Sequence, residues 1–510
     1  MLCYNVSMLK RFLYLVEKGG NALPHPALLF GILALATLLL SLVGAVFAWS
    51  GVHPATDEQI DIVNLLSREG IHRIILNMVS NFTNFAPLGI VMVAVLGIGV
   101  AESSGLIRAA INLMLLKTPP QFITAMVVFA GVISSVAADV GYVLVIPLAG
   151  IIFHSLGRHP IAGLSAAFAG VSAGFSANIF LAPLDPMLAG ITTESAHIYD
   201  QTNTYYVLPT AYYYFMCVST ILITIVCTVL TEKWIEPRLG KYSGDVERES
   251  IEQPSALEKK GLFYVGLTVL GWILLLAAGL VPENGILRAD DGSFLNSPVL
   301  RGIIALLFLS TASVGIVYGF TVGKFTKAED VINAMTDNIK TLAGYLVLVF
   351  FAAQFVAWFN WSNLGLLLAI QGASLLENAD ISLVPLIIIF VTLTGGINLF
   401  IGSASAKWAL VGPIYVPVFM ALGYSPELAQ SVYSVGDSMT NIITPLMPYF
   451  ALILVYYQKY DKNAGIGTII ATMLPFTVML YITWTGLLIG WVLLELPLGP
   501  GTPLYYTPSP

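Results

Sequence analysis

The chain has 510 residues, of which 57% are hydrophobic and only 10% are charged. A soluble protein needs a far more polar surface than this composition supplies, so the sequence predicts a polytopic membrane protein. The net charge of −7 includes no basic run of the kind that contacts nucleic acid. Of three cysteines, two lie in one apolar segment and one lies near the start, which indicates neither a disulfide framework nor a metal cluster. The composition therefore favours lipid and small molecules, rather than nucleic acid, as partners.

The first apolar stretch, at residues 27–50, follows a short start that contains three basic residues. It begins too late and runs too long for the apolar core of a signal peptide. We therefore predict a cytoplasmic N-terminus at 1–26 and an uncleaved first transmembrane helix at 27–50. A polar connection is expected to follow at about 51–80.

The next region, residues 83–231, alternates long apolar segments with polar interruptions. The apolar stretch at 121–156 is too long for one span, and its middle, SSVAADVG at 134–141, is polar and contains glycine. Two half-spans that meet at this tip would form a re-entrant hairpin, as in transporters whose broken helices line the transport site. A span at about 160–190, interrupted by GFSAN and two prolines, and a plain helix at about 205–231 complete the region.

A charged segment at 232–260 separates this region from the rest of the chain and is predicted to be a cytoplasmic linker. Two ordinary connecting helices are expected at 261–321. The earlier pattern then returns at 340–497, with a second hairpin at 384–422 whose tip lies near SASAK. Residues 498–510 form a tail that is expected to be periplasmic.

The two regions match as repeats at their glycines and prolines. A shift of 266 positions brings Gly157 onto Gly423 and, three residues later, proline onto proline. An odd number of spans separates the two copies, so they are inverted relative to each other in the membrane. The predicted fold is an all-α polytopic membrane protein with nine transmembrane helices plus two re-entrant hairpins in an inverted repeat.

The distribution of Lys and Arg predicts the orientation. With a cytoplasmic N-terminus, most of the 22 basic residues fall in cytoplasmic segments or at the cytoplasmic ends of spans. The first hairpin then enters the membrane from the cytoplasm and the second from outside. Two opposed gates require this arrangement.

The transport chemistry must come from the few polar side chains at membrane depth, where such groups survive only inside protein or beside a cavity. A carboxylate removed from water can carry a proton, whereas one among carbonyl oxygens can hold Na⁺, and the sequence leaves both coupling ions open. Asp185 and Asp437 are the strongest candidates, with a structural capping role as the alternative. The other candidates are Asp139, Asn178, Asn398, Ser405, Lys407, Ser438 and Asn441.

Further expectations concern Lys407, a bound Na⁺ ion and the hairpin tips. Lys407 either balances a substrate carboxylate or pairs with an aspartate. A Na⁺ site near Asp185 and Asn398 is a further expectation. The repeat alignment sets Asp139 opposite Ser405 at the two hairpin tips.

Several long strings carry a resemblance to a known family: SASAKWAL, VGDSMTNIITPLMPYF and SANIFLAPLDPMLAGI. They resemble the p-aminobenzoyl-glutamate transporter (AbgT) family of bacterial inner-membrane carriers. The resemblance implies a homodimer with nine helices and two hairpins in each protomer. It also implies import of p-aminobenzoyl-glutamate, a folate breakdown product, or export of sulfonamide antimetabolites, driven by a proton or Na⁺ gradient. No enzymatic activity and no cofactor are expected.

The same resemblance implies a set of residues along the transport pathway. Trp408 is expected to contact an aromatic ligand through its ring, because an aminobenzoyl group offers a flat face for stacking. The residues that match the family's pathway positions are Asp185, Asn398, Ser405, Trp408, Pro426 and Asp437.

Other functional classes fit the sequence less well. An intramembrane aspartyl protease needs a G-x-G-D motif, and Ser434 stands where its first glycine would be. The sequence contains no Walker motif or dinucleotide fingerprint, so ATP-driven transport by this chain alone is unsupported. A passive channel and a Na⁺-coupled importer of another carboxylate remain as alternatives.

Ser434 also departs from the family pattern, since relatives commonly carry Arg at this position, one helical turn before the aspartate. We predict that Ser434→Arg shifts preference towards the dianion p-aminobenzoyl-glutamate over sulfonamides. A charge-assisted bidentate contact contributes about 1.5–3 kcal/mol, roughly ten- to a hundredfold in affinity. Competition binding with both ligands measures the shift. An unchanged preference in a folded variant would mean that position 434 does not sense substrate charge.

Overall fold

The computed structural model describes residues 26–506, except for 53–57, 138–140, 201, 203, 245, 247–254, 283, 290–291, 293–296, 379–380 and 448. Four predicted features therefore lie wholly or partly outside the described residues. They are the cytoplasmic N-terminus, Asp139 at the first hairpin tip, the middle of the 232–260 linker and the end of the tail.

The described chain is almost entirely helical, with one small antiparallel sheet that pairs Ser50–Val52 with Gln59–Asp61. Short 3-10 or π-helical turns interrupt it at Pro120–Phe122, Ser134–Ala137, Gly141–Val145, Ala169–Ala173, Thr231–Ile235 and Asn441–Ile443. The α-helices are Pro26–Val46, Arg68–Thr83, Ala86–Ser103, Leu106–Leu116, Ile123–Ile133, Ile146–Ser155, Pro160–Phe168, Leu184–Ala196, Tyr213–Leu230, Glu236–Leu239, Ala256–Leu280, Pro298–Arg301, Ile303–Val322, Ala328–Thr341, Ala343–Trp361, Leu364–Asn378, Leu383–Asn398, Ala404–Ala421, Pro426–Thr440, Phe450–Tyr460 and Ile466–Leu493.

Four composite elements position the site, and they are named here by their residues. Hairpin 1 is 123–155 and hairpin 2 is 383–421. Broken helix 1 is 160–196 and broken helix 2 is 426–460, each interrupted by non-helical backbone near its middle.

Eight helices in the described part of the chain are long and apolar enough to cross a membrane, and a bent pair brings the count to nine. The bend, 116°, lies between Leu106–Leu116 and the segment that starts hairpin 1. The number agrees with the nine predicted spans, but the assignment differs in part. A count by helix length includes the second arm of hairpin 2, Ala404–Ala421, as a span. The same count leaves out the two broken helices, because each of their pieces is short.

Two opposite ends of the molecule are joined by the helix Tyr213–Leu230. At its start, the Tyr214 N–H donates to the Leu498 carbonyl at 2.9 Å, so this end is called the tail face. Beyond its other end, Glu236 forms an ion pair with Arg158, and this end is called the linker face. Gly423, which follows hairpin 2, lies at the tail face, because its carbonyl accepts from the Tyr506 N–H at 2.9 Å.

Hairpin 1 ends at the linker face and hairpin 2 at the tail face, and both end in the same local structure. Gly157 and Gly423 have φ of 74° and 82°, the left-handed conformation that glycine adopts without steric cost. The following N–H groups donate at 2.8 Å to Phe153 and Phe419, five residues earlier, as in a Schellman cap. Equivalent caps at opposite ends confirm the predicted inverted repeat.

One predicted boundary differs from the structure, and one predicted connection contains a helix that the sequence did not indicate. The first transmembrane helix ends at Val46 rather than at residue 50, because the chain turns at Ala48, where φ is 52°. The expected polar connection at 51–80 contains the helix Arg68–Thr83, which begins with a cap from Ser67 to the Gly70 N–H. Its apolar residues alternate with charged and amide side chains, which hid the helix from a search for continuous apolar runs.

We predict that Gly423→Ala destabilises the protein by about 1–2 kcal/mol, the usual cost of a Cβ in the left-handed helical region. No heavy atom lies within 4 Å of the added Cβ, so the loss measures backbone strain alone. Gly271→Ala is the control, because Gly271 is helical and equally open but lacks the positive φ. Denaturant titration of the purified protein in detergent should show a loss only for Gly423→Ala; equal effects would contradict the role of the cap.

Candidate functional site

The candidate site is a cavity of about 390 Å³ between the two hairpin tips. Ser135 and Tyr142 contribute from hairpin 1, and residues 402–405 contribute from hairpin 2. The breaks of both broken helices also reach it, and the helix Ala86–Ser103 closes one side with apolar residues and with Glu102. The cavity thus lies where backbone interruptions from both repeats converge.

The two broken helices cross beside this cavity and are joined by hydrogen bonds. The Ser176 N–H donates to the Ser438 hydroxyl at 3.1 Å, and the Asn441 amide donates to the Ser172 carbonyl at 3.3 Å. Non-helical backbone leaves N–H and C=O groups without helical partners, and polar side chains supply replacements. Ser438 therefore joins the repeats, whereas Asn441 joins them and also lines the cavity.

Behind the wall formed by hairpin 2 lies a fully buried ion pair between Lys407 and Asp437. The Lys407 ammonium also donates to the Asn398 side-chain oxygen. The Asn398 amide nitrogen in turn lies 2.7 Å from the Asp437 carbonyl. Of the two interpretations of Lys407, pairing with an aspartate describes this structure.

Only one oxygen of the Asp437 carboxylate is engaged in this pair. Oδ1 accepts from Lys407 and lies 3.3 Å from the Tyr433 hydroxyl. Oδ2 is buried and has no hydrogen-bond partner among the described residues. The carboxylate therefore retains an acceptor oxygen that a proton or a water molecule could occupy.

Asp185 is buried in the first turn of the helix Leu184–Ala196, at the break of broken helix 1. Its carboxylate accepts from the Ala182 N–H at 2.7 Å and from the Tyr212 hydroxyl at 2.9 Å. A negative charge at a helix start is stabilised by the helix dipole, so Asp185 also stabilises the start of this helix, although it caps none of the helix N–H groups. Tyr212, which the sequence did not single out, donates to Asp185 and lies near Ser434, one turn before Asp437 on its helix.

Trp408 does not line the cavity. Its side chain is fully buried, its ring packs on Tyr433 with centroids 4.5 Å apart, and its indole N–H donates to the Thr192 hydroxyl at 2.9 Å. The ring therefore does not face the cavity in this structure, and its contact with an aromatic ligand stays a prediction. The cause is helical geometry: Trp408 lies one turn beyond the tip, where the arm is enclosed by broken helix 2.

Pro426 also lies away from the cavity, at the tail face, as the first residue of its helix after the Ser425 cap. Proline is favoured there because its missing N–H would have no helical partner. Asn178 lies just outside the cavity and donates to the Ser135 hydroxyl, which lines it, at 2.8 Å. Ser405 lines the cavity directly, as expected of a tip residue.

Two tyrosines provide the aromatic surface that was expected from Trp408. Tyr142 and Tyr449 line the cavity with their rings stacked at 4.5 Å and 11°. Tyr142 aligns with Trp408 in the repeat, so the sequence contained a signal for it. Tyr449 follows the break of broken helix 2, and no local pattern predicts which way such a residue turns.

The described residues contain no group of three or more His, Cys, Asp or Glu side chains that could hold a metal ion. The neighbours of Asp185 are N–H and O–H donors, and the neighbour of Asp437 is an ammonium. Such a set can hold a carboxylate and move a proton on and off it. The predicted Na⁺ site near Asp185 and Asn398 stays a prediction.

Comparison with known proteins gives consistent matches over nearly the whole chain. Residues 11–506 match the AbgT putative transporter family. The p-aminobenzoyl-glutamate transport protein of Escherichia coli (strain K12) is 36% identical over 487 residues, which cover 95% of each chain.

Two solved structures are similar in both sequence and fold. The Alcanivorax borkumensis YdaH transporter is 45% identical with a TM-score of 0.89, covering 94% of this chain and all of that one. Neisseria gonorrhoeae MtrF, described within a class of antimetabolite efflux pumps, is 46% identical with a TM-score of 0.91, covering 96% of this chain and all of that one. The chain therefore belongs to the AbgT putative transporter family and is a multi-pass membrane transporter of that bacterial family.

Proposed function

We propose that this protein is a secondary active transporter of p-aminobenzoyl-glutamate-like folate metabolites or of sulfonamide antimetabolites. A proton gradient drives transport, and the two hairpins open alternately towards opposite sides of the membrane. The observation that carries the proposal is the cavity between two inverted hairpin tips, with a buried Lys407–Asp437 pair directly behind one of them. The names of the E. coli and Neisseria relatives support the two ligand classes.

Protons suit the buried aspartates better than Na⁺ does. A hard cation requires several oxygen ligands around it. Asp185 is instead surrounded by donors, and Asn398 directs its oxygen at the Lys407 ammonium. Protonation of Asp437 would neutralise its charge and weaken the ion pair, which links proton binding to the position of hairpin 2.

The remaining expectations from the sequence belong to the same proposal. The protein resides in the bacterial inner membrane with a cytoplasmic linker face and a periplasmic tail face. It forms a homodimer. The first helix exposes an apolar stripe of Leu28, Leu35 and Leu39, which is available to lipid or to a second copy of the protein. Native mass spectrometry in lipid nanodiscs distinguishes a dimer from a monomer.

Proteoliposomes with imposed pH and Na⁺ gradients, varied separately, test the function. We expect labelled p-aminobenzoyl-glutamate or a sulfonamide to move against its gradient only when a pH gradient is imposed. Accumulation driven by Na⁺ alone would support the Na⁺-coupled carboxylate importer. Equilibration without accumulation would support a passive channel.

The ion pair yields a prediction that separates coupling from folding. Asp437→Asn alone should destabilise the protein by about 3–5 kcal/mol, because it leaves a buried ammonium without its counter-charge. The double variant Asp437→Asn with Lys407→Gln should recover much of this stability and still lose gradient-driven transport. Denaturant titration and proteoliposome uptake measure the two effects.

The control for this pair is Glu329→Gln, because Glu329 is an exposed carboxylate in an ion pair with Lys327. It should change neither stability nor transport. If the double variant still accumulates substrate against its gradient as well as the wild type does, Asp437 does not carry the coupling.

The aromatic residues yield a second prediction. Tyr449→Leu should weaken binding of p-aminobenzoyl-glutamate more than that of free glutamate, by about 0.5–1.5 kcal/mol of lost ring contact. Trp408→Phe should leave this preference unchanged, because its ring is buried against Tyr433. Calorimetric titration with the two ligands measures both. A change of preference in Trp408→Phe alone would mean that the Trp408 ring contacts the ligand in another conformation.

A further inference from the structure

The helix Pro426–Thr440 carries polar side chains along one face, from the tail face to the ion pair. Glu427, Gln430, Ser434 and Asp437 are spaced by three, four and three residues. At 3.6 residues per turn, these four side chains fall within about 80° of the helix circumference. The row covers about 15 Å along the helix axis, so it connects one end of the protein to its buried centre.

The side chains of this row are buried, but several of their polar atoms lack hydrogen-bond partners in the described structure. Gln430 and Ser434 are at most 2% exposed, as is Asp437. Each of the three has a polar atom without a hydrogen-bond partner in the described part of the chain: Nε2, Oγ and Oδ2 respectively. Buried polar atoms are seldom left unpaired, because the loss of hydration is costly. Three such atoms at successive steps of one helix face leave a continuous row of hydrogen-bonding groups available to small hydrogen-bonding molecules.

The outer end of the row is a carboxylic acid at the tail face. Glu427 is 5% exposed and accepts from the Tyr205 hydroxyl at 2.9 Å. The Tyr205 N–H is held by Asp200 at 2.9 Å, and its ring lies against Tyr506 of the C-terminal tail. Segments before and after broken helix 2 thus converge on this one acid.

The groups that face the row from neighbouring helices are mostly neutral. Thr192 donates to the Gln430 side-chain oxygen at 2.6 Å, which leaves the Gln430 amide N–H₂ for another partner. The Tyr212 hydroxyl, bonded to Asp185, lies beside Ser434 without a hydrogen bond of normal geometry to its Oγ. At the inner end, Lys407 and Tyr433 engage only Oδ1 of Asp437.

We propose that this face is a hydrated proton path between Glu427 at the tail face and Oδ2 of Asp437. The inference rests on the proposed proton-coupled transport and identifies its route. A proton that reaches Glu427 passes to a water held by the Gln430 amide, and each carrier releases one proton as it accepts another. The Ser434 hydroxyl relays it in the same way, and Oδ2 of Asp437 receives it. Asp437 becomes neutral, and Lys407 loses its counter-charge.

The experiment follows protonation of Asp437 directly, without transport. Infrared difference spectra are recorded on the full-length purified protein after a rapid drop in pH, and Asp437→Asn identifies the carboxyl band of Asp437. Ser434→Ala removes a single hydroxyl and should slow the appearance of this band by about tenfold. Gln430→Leu and Glu427→Gln should slow it at least as much.

Ser431→Ala is the matched control on the same helix, because the Ser431 hydroxyl is satisfied by the Glu427 carbonyl at 2.8 Å. In this variant, the carboxyl band of Asp437 should appear at the wild-type rate. The proposal is overturned if the band also appears at the wild-type rate in Ser434→Ala and Gln430→Leu. It is likewise overturned if Asp437→Asn removes no band. Should Gln430→Leu fail to fold, the comparison of Ser434→Ala with Ser431→Ala decides alone. If Ser434→Ala slows protonation of Asp437 but a pH gradient drives no accumulation of substrate in proteoliposomes, the proposed function is refuted and the proton path stands.

Discussion

The buried ion pair between Lys407 and Asp437 is the interaction on which the central part of the structure depends. Removing an ammonium and a carboxylate from water is costly, and the cost is offset only when both charges are paired and hydrogen-bonded. The pair joins the second arm of hairpin 2 to broken helix 2, and Asn398 connects both to the first arm. Any movement of these three segments relative to one another must change the pair. A group that binds Asp437 therefore also perturbs the contact between hairpin 2 and broken helix 2.

The inverted repeat explains how one fold serves both sides of a membrane. Hairpins 1 and 2 end in the same glycine cap at opposite faces, and their tips meet at one cavity. The broken helices supply the polar groups that satisfy each other across the repeat boundary, as with Ser176 and Ser438. Backbone breaks are tolerated at membrane depth where the freed N–H and C=O groups face protein instead of lipid, as the Ser176 N–H and the Ser172 carbonyl do.

The two repeats differ in their chemistry although their backbones correspond. Repeat 1 holds Asp185 with neutral donors at the start of a helix, whereas repeat 2 holds Asp437 with a full positive charge. Only the second aspartate retains an unpaired oxygen in the described structure. The cavity presents tyrosine rings, small polar side chains and the carboxyl group of Glu102, and the Lys407–Asp437 pair lies behind hairpin 2.

The sequence by itself determined the class of protein, the two hairpins, their inverted relation and most of the polar residues at depth. These follow from local causes: apolar length sets a span, and a polar, glycine-bearing middle sets a tip. Matched glycines also set the caps, because only glycine reaches their φ without strain. The helix Arg68–Thr83 was not predicted, because its apolar residues are interleaved with polar ones. Only its packing on the helix Ala343–Trp361 shows which side faces the protein.

Only the tertiary structure decided which polar residues meet. Lys407 and Asp437 are 30 residues apart, and Asp185 and Tyr212 are 27 apart, so no helical spacing pairs them. Trp408 was expected to contact the ligand from the family resemblance, yet in this structure its ring packs on Tyr433. The row from Glu427 to Asp437 is visible in the sequence as a helical spacing. That its atoms are buried and unpaired depends on the helices around it, because burial is a property of the packed assembly and not of the segment.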